Sequence, residues 1–146
     1  MWRRAGRVHW MVWLFIGIVV IFVAVALAPV VGELRRPPYQ RPADEFIRAL
    51  ARNDFKAAER VVDKSALPKE QRDLRKAWQD KQMGWGTITS IELIEAVQSP
   101  AELNHPRAAD SWRIEYNVQG ELTYGTARVY VAPVNGGWKV VDYEFR

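Results

Sequence analysis

Histidine occurs twice in the 146 residues and cysteine not at all. Without cysteine there is no disulfide, no thiolate metal ligand, no sulfur nucleophile and no lipobox cysteine for lipid attachment. His105 stands between Asn104 and Pro106 in a loop-like stretch, and His9 at the edge of a long apolar run. Neither has the two or three neighbouring ligands that a metal site needs. No Gly-rich phosphate loop, nucleophile elbow or paired carboxylate motif occurs. Trp78, Trp85, Trp112 and Trp138 read as core rather than as a ligand cage. These residues predict a chain that needs no cofactor and no metal and is not an enzyme.

Charge removes a further class. The net charge is +4, which would suggest nucleic acid if it were spread over the chain. It is not. Residues 1–39 hold five arginines (Arg3, Arg4, Arg7, Arg35, Arg36) against Glu33, and 40–146 hold 16 bases against 16 acids. The excess flanks one segment, so the folded part has no basic footprint for DNA or RNA.

That segment is 10–31, WMVWLFIGIVVIFVAVALAPVV, without a charge or an amide. As a helix it spans about 33 Å, enough to cross a bilayer core of about 30 Å. It has no polar face, which excludes an interfacial helix. A cleavable signal peptide is the rival reading, because Ala24-Val25-Ala26 has the small-x-small form; against it, the run continues past that point and exceeds a usual signal core. An uncleaved transmembrane helix over 10–31 is expected, after a cytoplasmic tail over 1–9. Arg3, Arg4 and Arg7 before the helix nearly balance Arg35, Arg36 and Arg41 after it, so the positive-inside rule alone does not set orientation. The short tail and long following domain predict a signal anchor in a bacterial inner membrane, with the N-terminus in the cytoplasm and the domain periplasmic.

Trp2, Trp10 and Trp13 crowd the start of the run. They read either as an aromatic belt at the interface or as a packing face for neighbouring helices. Gly17 has no small partner four residues on, whereas Ala24, Ala26 and Ala28 leave a smooth strip where another helix could approach. No ionisable residue interrupts the span, which excludes a proton or ion path.

Residues 32–42, GELRRPPYQRP, predict a semi-rigid polyproline-like spacer. The soluble domain is expected over 43–146. Phe46, Ile47 and Leu50 recur at helical spacing, with Asp44 and Glu45 in the first turn, where the helix dipole favours acids. Asn53-Asp54 breaks that helix and caps a second one bearing Phe55, Ala58, Val61 and Val62. Pro68 opens a third, with Leu74, Ala77 and Trp78 inward. From Thr87 the period falls to two. Strands are expected over 87–97 (with a bulge or bend), 112–118, 121–132 and 138–145, the last pair joined at Asn135-Gly136-Gly137. The order predicts an α+β fold: one transmembrane helix, then about three helices and a curved four-stranded antiparallel sheet.

Two stretches, ADEFIRALARNDFKAAERVV and GELTYGTARVYVAPVNGGWKVVDYEF, give this domain a further likeness. With the helix broken at Asn-Asp and the Gly-Gly-Trp-Lys-Val-Val ending, it resembles the nuclear-transport-factor-2-like (SnoaL-like) cone superfamily, in particular its small membrane-anchored bacterial members of unassigned function. The last strands and the single anchor also resemble small cytochrome-oxidase assembly factors. The cone resemblance implies a possible pocket between helices and sheet, lined by Trp112, Tyr116, Tyr124, Tyr130 and Asp142. It also implies an isomerase-type alternative, in which Asp142 would serve as the carboxylate and one of the tyrosines as the proton donor. On strict alternation Trp138, Val140, Asp142 and Glu144 share one face of the last strand and Val141, Tyr143 and Phe145 the other, which makes Asp142 a rim carboxylate.

Leu122, Tyr124 and Tyr130 share one face of the third strand, and Ala127, Val129 and Val131 the other. Apolar residues on both faces predict an uncovered apolar area that a homodimer or larger membrane-protein subunits would cover. The function expected is a non-catalytic, single-pass accessory or assembly subunit of a membrane complex, respiratory or photosynthetic. Its anchor would sit in the lipid bilayer against larger subunits, and its domain would dock on their outer surface. The alternative is a tethered binding module for a small apolar ligand.

Overall fold

The computed structural model describes residues 5–146, with side chains from Trp10 onward except those of 33 and 34. The chain divides into two compact units, Met1–Arg36 and Pro37–Arg146. The first is one helix, α1 (Ala5–Arg35), with Pro29 near its C-terminal end. Its stretch Trp10–Gly32 is long and apolar enough to cross a membrane, and none of it is buried.

The second unit follows the predicted order of three helices and then four strands. The helices are α2 (Gln40–Ala51), α3 (Phe55–Arg60) and α4 (Leu74–Trp85). The strands are β1 (Ile88–Gln98), β2 (Trp112–Gly120), β3 (Tyr124–Val134) and β4 (Gly137–Phe145). They form one antiparallel sheet in the order β1-β2-β3-β4. The fold is α+β, as the periods predict.

Local chemistry sets the helix ends. The Asp54 side chain accepts the Ala57 N–H and caps α3, and Asp73 does the same for α4 through Lys76 N–H. Pro68 does not open α4; it precedes a short 3-10 turn, Lys69–Gln71. The helix starts instead after Asp73, whose side chain accepts one of the first-turn N–H groups that a proline cannot satisfy. Gly86 ends α4 at φ +77°, a backbone region that favours glycine.

The polyproline spacer expected over 32–42 is not formed. Helix α1 continues to Arg35 and α2 begins at Gln40, leaving a tight turn in which Gln40 N–H donates to the Pro37 carbonyl at 3.0 Å. Pro42 lies in the first turn of α2, where its missing N–H removes no helical bond. Tyr39 is pinned by stacking on Trp112, with centroids 3.9 Å apart and planes 2° from parallel. The helical start therefore extends back through residues whose composition suggested a linker.

All three helices of this unit lie on one face of the sheet. Phe46, Ile47, Leu50, Trp78 and Trp85 meet Ile114, Val118, Val129, Val131, Tyr143 and Phe145 in one buried cluster. Trp78 is fully buried, edge-on to Phe145 at 5.3 Å and to Trp85 at 5.9 Å. Two glycines admit Trp85: a Cβ on Gly120 would lie 2.0 Å from its carbonyl oxygen, and one on Gly125 would lie 2.5 Å from its ring. The third strand begins at Tyr124 rather than Glu121, because 120–123 form a turn closed by Gly120 N–H to the Thr123 carbonyl, 2.9 Å.

Strict alternation fails on β4. Tyr130 pairs with Asp142 but Val131 with Val140, so Val141 is an extra, bulged residue. The slip places Val140 in the main core with Tyr143 and Phe145. Val141 instead joins Leu103, Tyr130 and Ala132 in a small cluster of its own. This cluster narrows the expected bare apolar face. The β1–β2 loop folds Leu103 over it, and Arg113, Glu115, Arg128 and Glu144 occupy much of the rest, while Leu122 and Tyr124 stay 72% exposed. The outer edge of β4 is occupied at Val140, whose N–H donates to Val61 and whose carbonyl accepts from Asp63, both at 2.8 Å. The edge of β1 has no strand partner among the described residues.

Candidate functional site

The residues singled out by sequence fall in four places. Trp10 and Trp13 are two-thirds exposed on α1, Ala24 and Ala28 are exposed on the same helix, and nothing lies within 4 Å of a Cβ built on Gly17. Trp2, Arg3 and Arg4 lie outside the described residues, as does the Arg7 side chain. Trp112 and Tyr116 are on the helix-facing side of the sheet, Trp112 beneath Tyr39 and Tyr116 in the core. Tyr124 is 72% exposed at the start of β3. Only Tyr130 and Asp142 come together, and they do so on the opposite, outer face.

The pocket expected between helices and sheet is therefore not assembled. Its space is taken by Phe46, Ile47, Leu50, Trp78 and Tyr143. What the outer face offers instead is a cavity of about 370 Å³, bordered by Glu102, Arg128, Tyr130, Asp142, Glu144 and Arg146 together with Gln71 and Tyr143. Register explains it. Glu115 sits opposite Arg128 on β2 and β3, and Arg128 opposite Glu144 on β3 and β4. Arg128 Nε meets Glu115 at 2.9 Å, and Arg146 Nε meets Glu144 at 2.8 Å. Arg113 holds Glu102 at 2.6 Å and also pairs with Glu95. From β2 to β4 opposite charges thus alternate in register, the cross-strand pairing that a sheet favours, whereas on β1 Glu95 lies opposite Glu115 and reaches Arg113 off-register.

Pairing and burial together shift the titrating groups of this face. The Arg113 guanidinium holds the Glu102 carboxyl below the ordinary carboxylate range. Burial, reinforced by the Glu102 charge, pushes the Tyr130 hydroxyl up to about 12. Burial raises Asp142, partly offset by the Tyr143 N–H that donates to its Oδ1 at 2.8 Å. Tyr143 is raised as well, first by burial, and its hydroxyl donates to the Gln71 carbonyl at 2.7 Å. General acid–base work needs a carboxylate and a donor aimed at one reacting centre. Here Tyr130 donates to Glu102 at 3.4 Å, and one oxygen of Asp142 is held by backbone. The arrangement suits binding a small polar or charged group better than proton transfer.

One buried pair escaped the sequence reading. Tyr116 donates to Asp44 Oδ1 at 2.5 Å, and Gln40 donates to Oδ2 at 3.3 Å. Asp44 is 7% exposed. Its position in the first turn suggested a dipole role, yet it lies three residues from Ile47 and so on the buried stripe of α2. A polar residue on an apolar stripe was the signal available. The pair lies in the core, away from the outer-face cavity, and reads as structural.

Among the described residues no group of three or more His, Asp or Glu side chains could hold a metal ion. No protein-family model matches the chain, and no curated protein matches it.

Proposed function

We propose that this chain is a single-pass membrane subunit that serves a larger complex without catalysing a reaction. The observation that carries the reading is α1: from Trp10 to Gly32 it offers apolar side chains on every side, and none is buried. Such a surface is stable only in lipid or against other apolar helices. A packed domain interior and a charge-paired outer face support a docking part over an enzyme or a tethered module for apolar ligands. In this proposal residues 1–9 are cytoplasmic, the domain lies outside a bacterial inner membrane, and the complex is respiratory or photosynthetic. Kinship with the nuclear-transport-factor-2-like cones belongs to the same proposal, supported by the order of three helices and a four-stranded meander.

The anchor's role is testable by exchange. Replacing 10–31 with a polyleucine helix preserves insertion but erases the tryptophan and alanine surfaces. The proposal expects the chain to stay in the membrane and to lose co-purifying subunits. Their full retention would overturn a packing role for the anchor.

A further inference from the structure

The free edge of the sheet has a feature that the opposite edge lacks. Strand β1 has no outer partner among the described residues, and Leu93, Ile94 and Val97 on it are 36–55% exposed. An unpaired strand of this length invites another strand. Beside its first half runs a shallow groove of about 330 Å³, lined by Arg48 and Ala51 of α2, by Arg52 just after it, and by residues 88–91. Neither arginine makes an ion pair with a described residue, and both are exposed. Two guanidiniums without acids thus stand next to an open row of backbone donors and acceptors.

From this geometry we infer that the β1 edge is a docking site for an extended, acidic segment of a partner protein, which adds as a fifth strand and places its carboxylates on Arg48 and Arg52. Main-chain pairing would supply the attachment and the arginines the choice of partner. The inference deepens the subunit reading and rests on it for the existence of a partner. Two bulges shape the site: Thr89 and Ile94 are the extra residues at the register shifts of β1. They divide the strand into two regular stretches of four residues, 90–93 and 95–98, of which the first begins beside the arginines. Long, indiscriminate pairing is thereby discouraged, and a short ladder needs the arginines to complete it.

Charge placement decides against a second copy of this chain. Ile91 and Leu93 pair with Val118 and Tyr116, which face the helices. Glu92 and Glu95 therefore face the other way, where Glu95 meets Arg113. Two β1 strands joined about a two-fold axis perpendicular to the sheet would put all four glutamates on the outer face, away from Arg48 and Arg52. The groove asks for acids on the helix side. Lipid headgroups would use the arginines but leave the strand edge unpaired.

The test uses the full chain in mild detergent and a defined probe, the blocked peptide Val-Glu-Val-Glu-Val, beside its Val-Lys-Val-Lys-Val counterpart. The inference expects the glutamate peptide to bind and to slow hydrogen exchange of the amides in 88–94. Arg48→Glu with Arg52→Glu should weaken it at least tenfold and turn the preference to the lysine peptide, while Arg48→Lys with Arg52→Lys keeps the original preference and controls for folding. Equal binding of both peptides by the unaltered chain would overturn the inference. So would glutamate-peptide binding unchanged by the reversal, or a β1 edge left unprotected. Phosphatidylglycerol vesicles that engage the arginines while the peptide does not bind would overturn it in favour of headgroups. A native complex that survives the reversal intact sinks the edge site and leaves the subunit reading standing; a chain that is solitary in its membrane but shows the peptide response does the opposite.

Discussion

On the helix-facing side of the sheet, Ile114, Val118, Val129 and Val131 meet Phe46, Ile47 and Leu50 with almost no exposure. On the other side Arg113 and Glu115 of β2, Arg128 of β3 and Glu144 of β4 form a chain of alternating sign, and Arg128 and Glu144 border an open cavity. One face is held by area removed from water, which is strong and indifferent to direction. The other is held by ion pairs that join the largely covered Arg113, Glu115 and Arg128 to the more exposed Glu95, Glu102 and Glu144, directional and each worth less than the buried area opposite. Area burial thus holds the helix-facing side, and charge pairing the outer one. The outer face can change charge without unfolding the domain, while the inner face can change very little.

That separation breaks most visibly at Trp78. Truncation to alanine should cost about 3–5 kcal/mol, because a fully buried indole leaves a cavity its neighbours only partly fill. Denaturant titration of the full chain in detergent would read it, and a loss near zero would mean that the inner face is not the cohesive one. Tyr116→Phe comes next, at about 1–3 kcal/mol, since it leaves the Asp44 oxygen buried without that donor. Arg113→Ala, on the outer face, should cost no more than about 1 kcal/mol and less still in high salt. A cost rivalling Trp78 would erase the distinction between the faces.

The smallest effect sharpens the comparison through pH. Burial raises Asp142 above its ordinary value of 3.8, so folding favours the protonated form. That contribution is complete below 3.8 and is lost as pH rises through the raised value. Asp142→Asn keeps the acceptor for Tyr143 N–H and removes the charge. The variant should match the unaltered chain below the ordinary value and be the more stable of the two at neutral pH. A variant less stable at neutral pH would show that the carboxylate is held by a favourable partner instead.

The inner face was legible in sequence because burial imposes periods. Phe46, Ile47 and Leu50, then Ile114, Tyr116 and Val118, repeat at the spacing their elements require. Asn135-Gly136 announced its hairpin because both residues take positive φ there. The outer face was not legible. Three of its ion pairs, Glu102 with Arg113, Glu115 with Arg128 and Glu95 with Arg113, join residues 11 to 18 apart along the chain, and depend on a register that sequence alone does not give. The bulge at Val141 then reversed the alternation that had placed Val140 beside Asp142. A slip of one residue moves side chains to the other face, which is why Asp142 parted from Val140; Tyr130 lies apart from Trp112 and Tyr116 because Tyr130 is in register with Arg113. The turn at 36–39 was hidden for another reason. Prolines mark a spacer by composition, but one in a first helical turn costs nothing, and Tyr39 gains a stack on Trp112.

The central claim, that this chain works as a membrane-anchored part of something larger, is most directly tested by its native mass. The full chain, released from its own membranes in mild detergent, should travel as a particle holding a stoichiometric set of larger membrane subunits. A particle containing only this 16.8 kDa polypeptide and detergent, under conditions that keep other membrane complexes intact, would contradict the account.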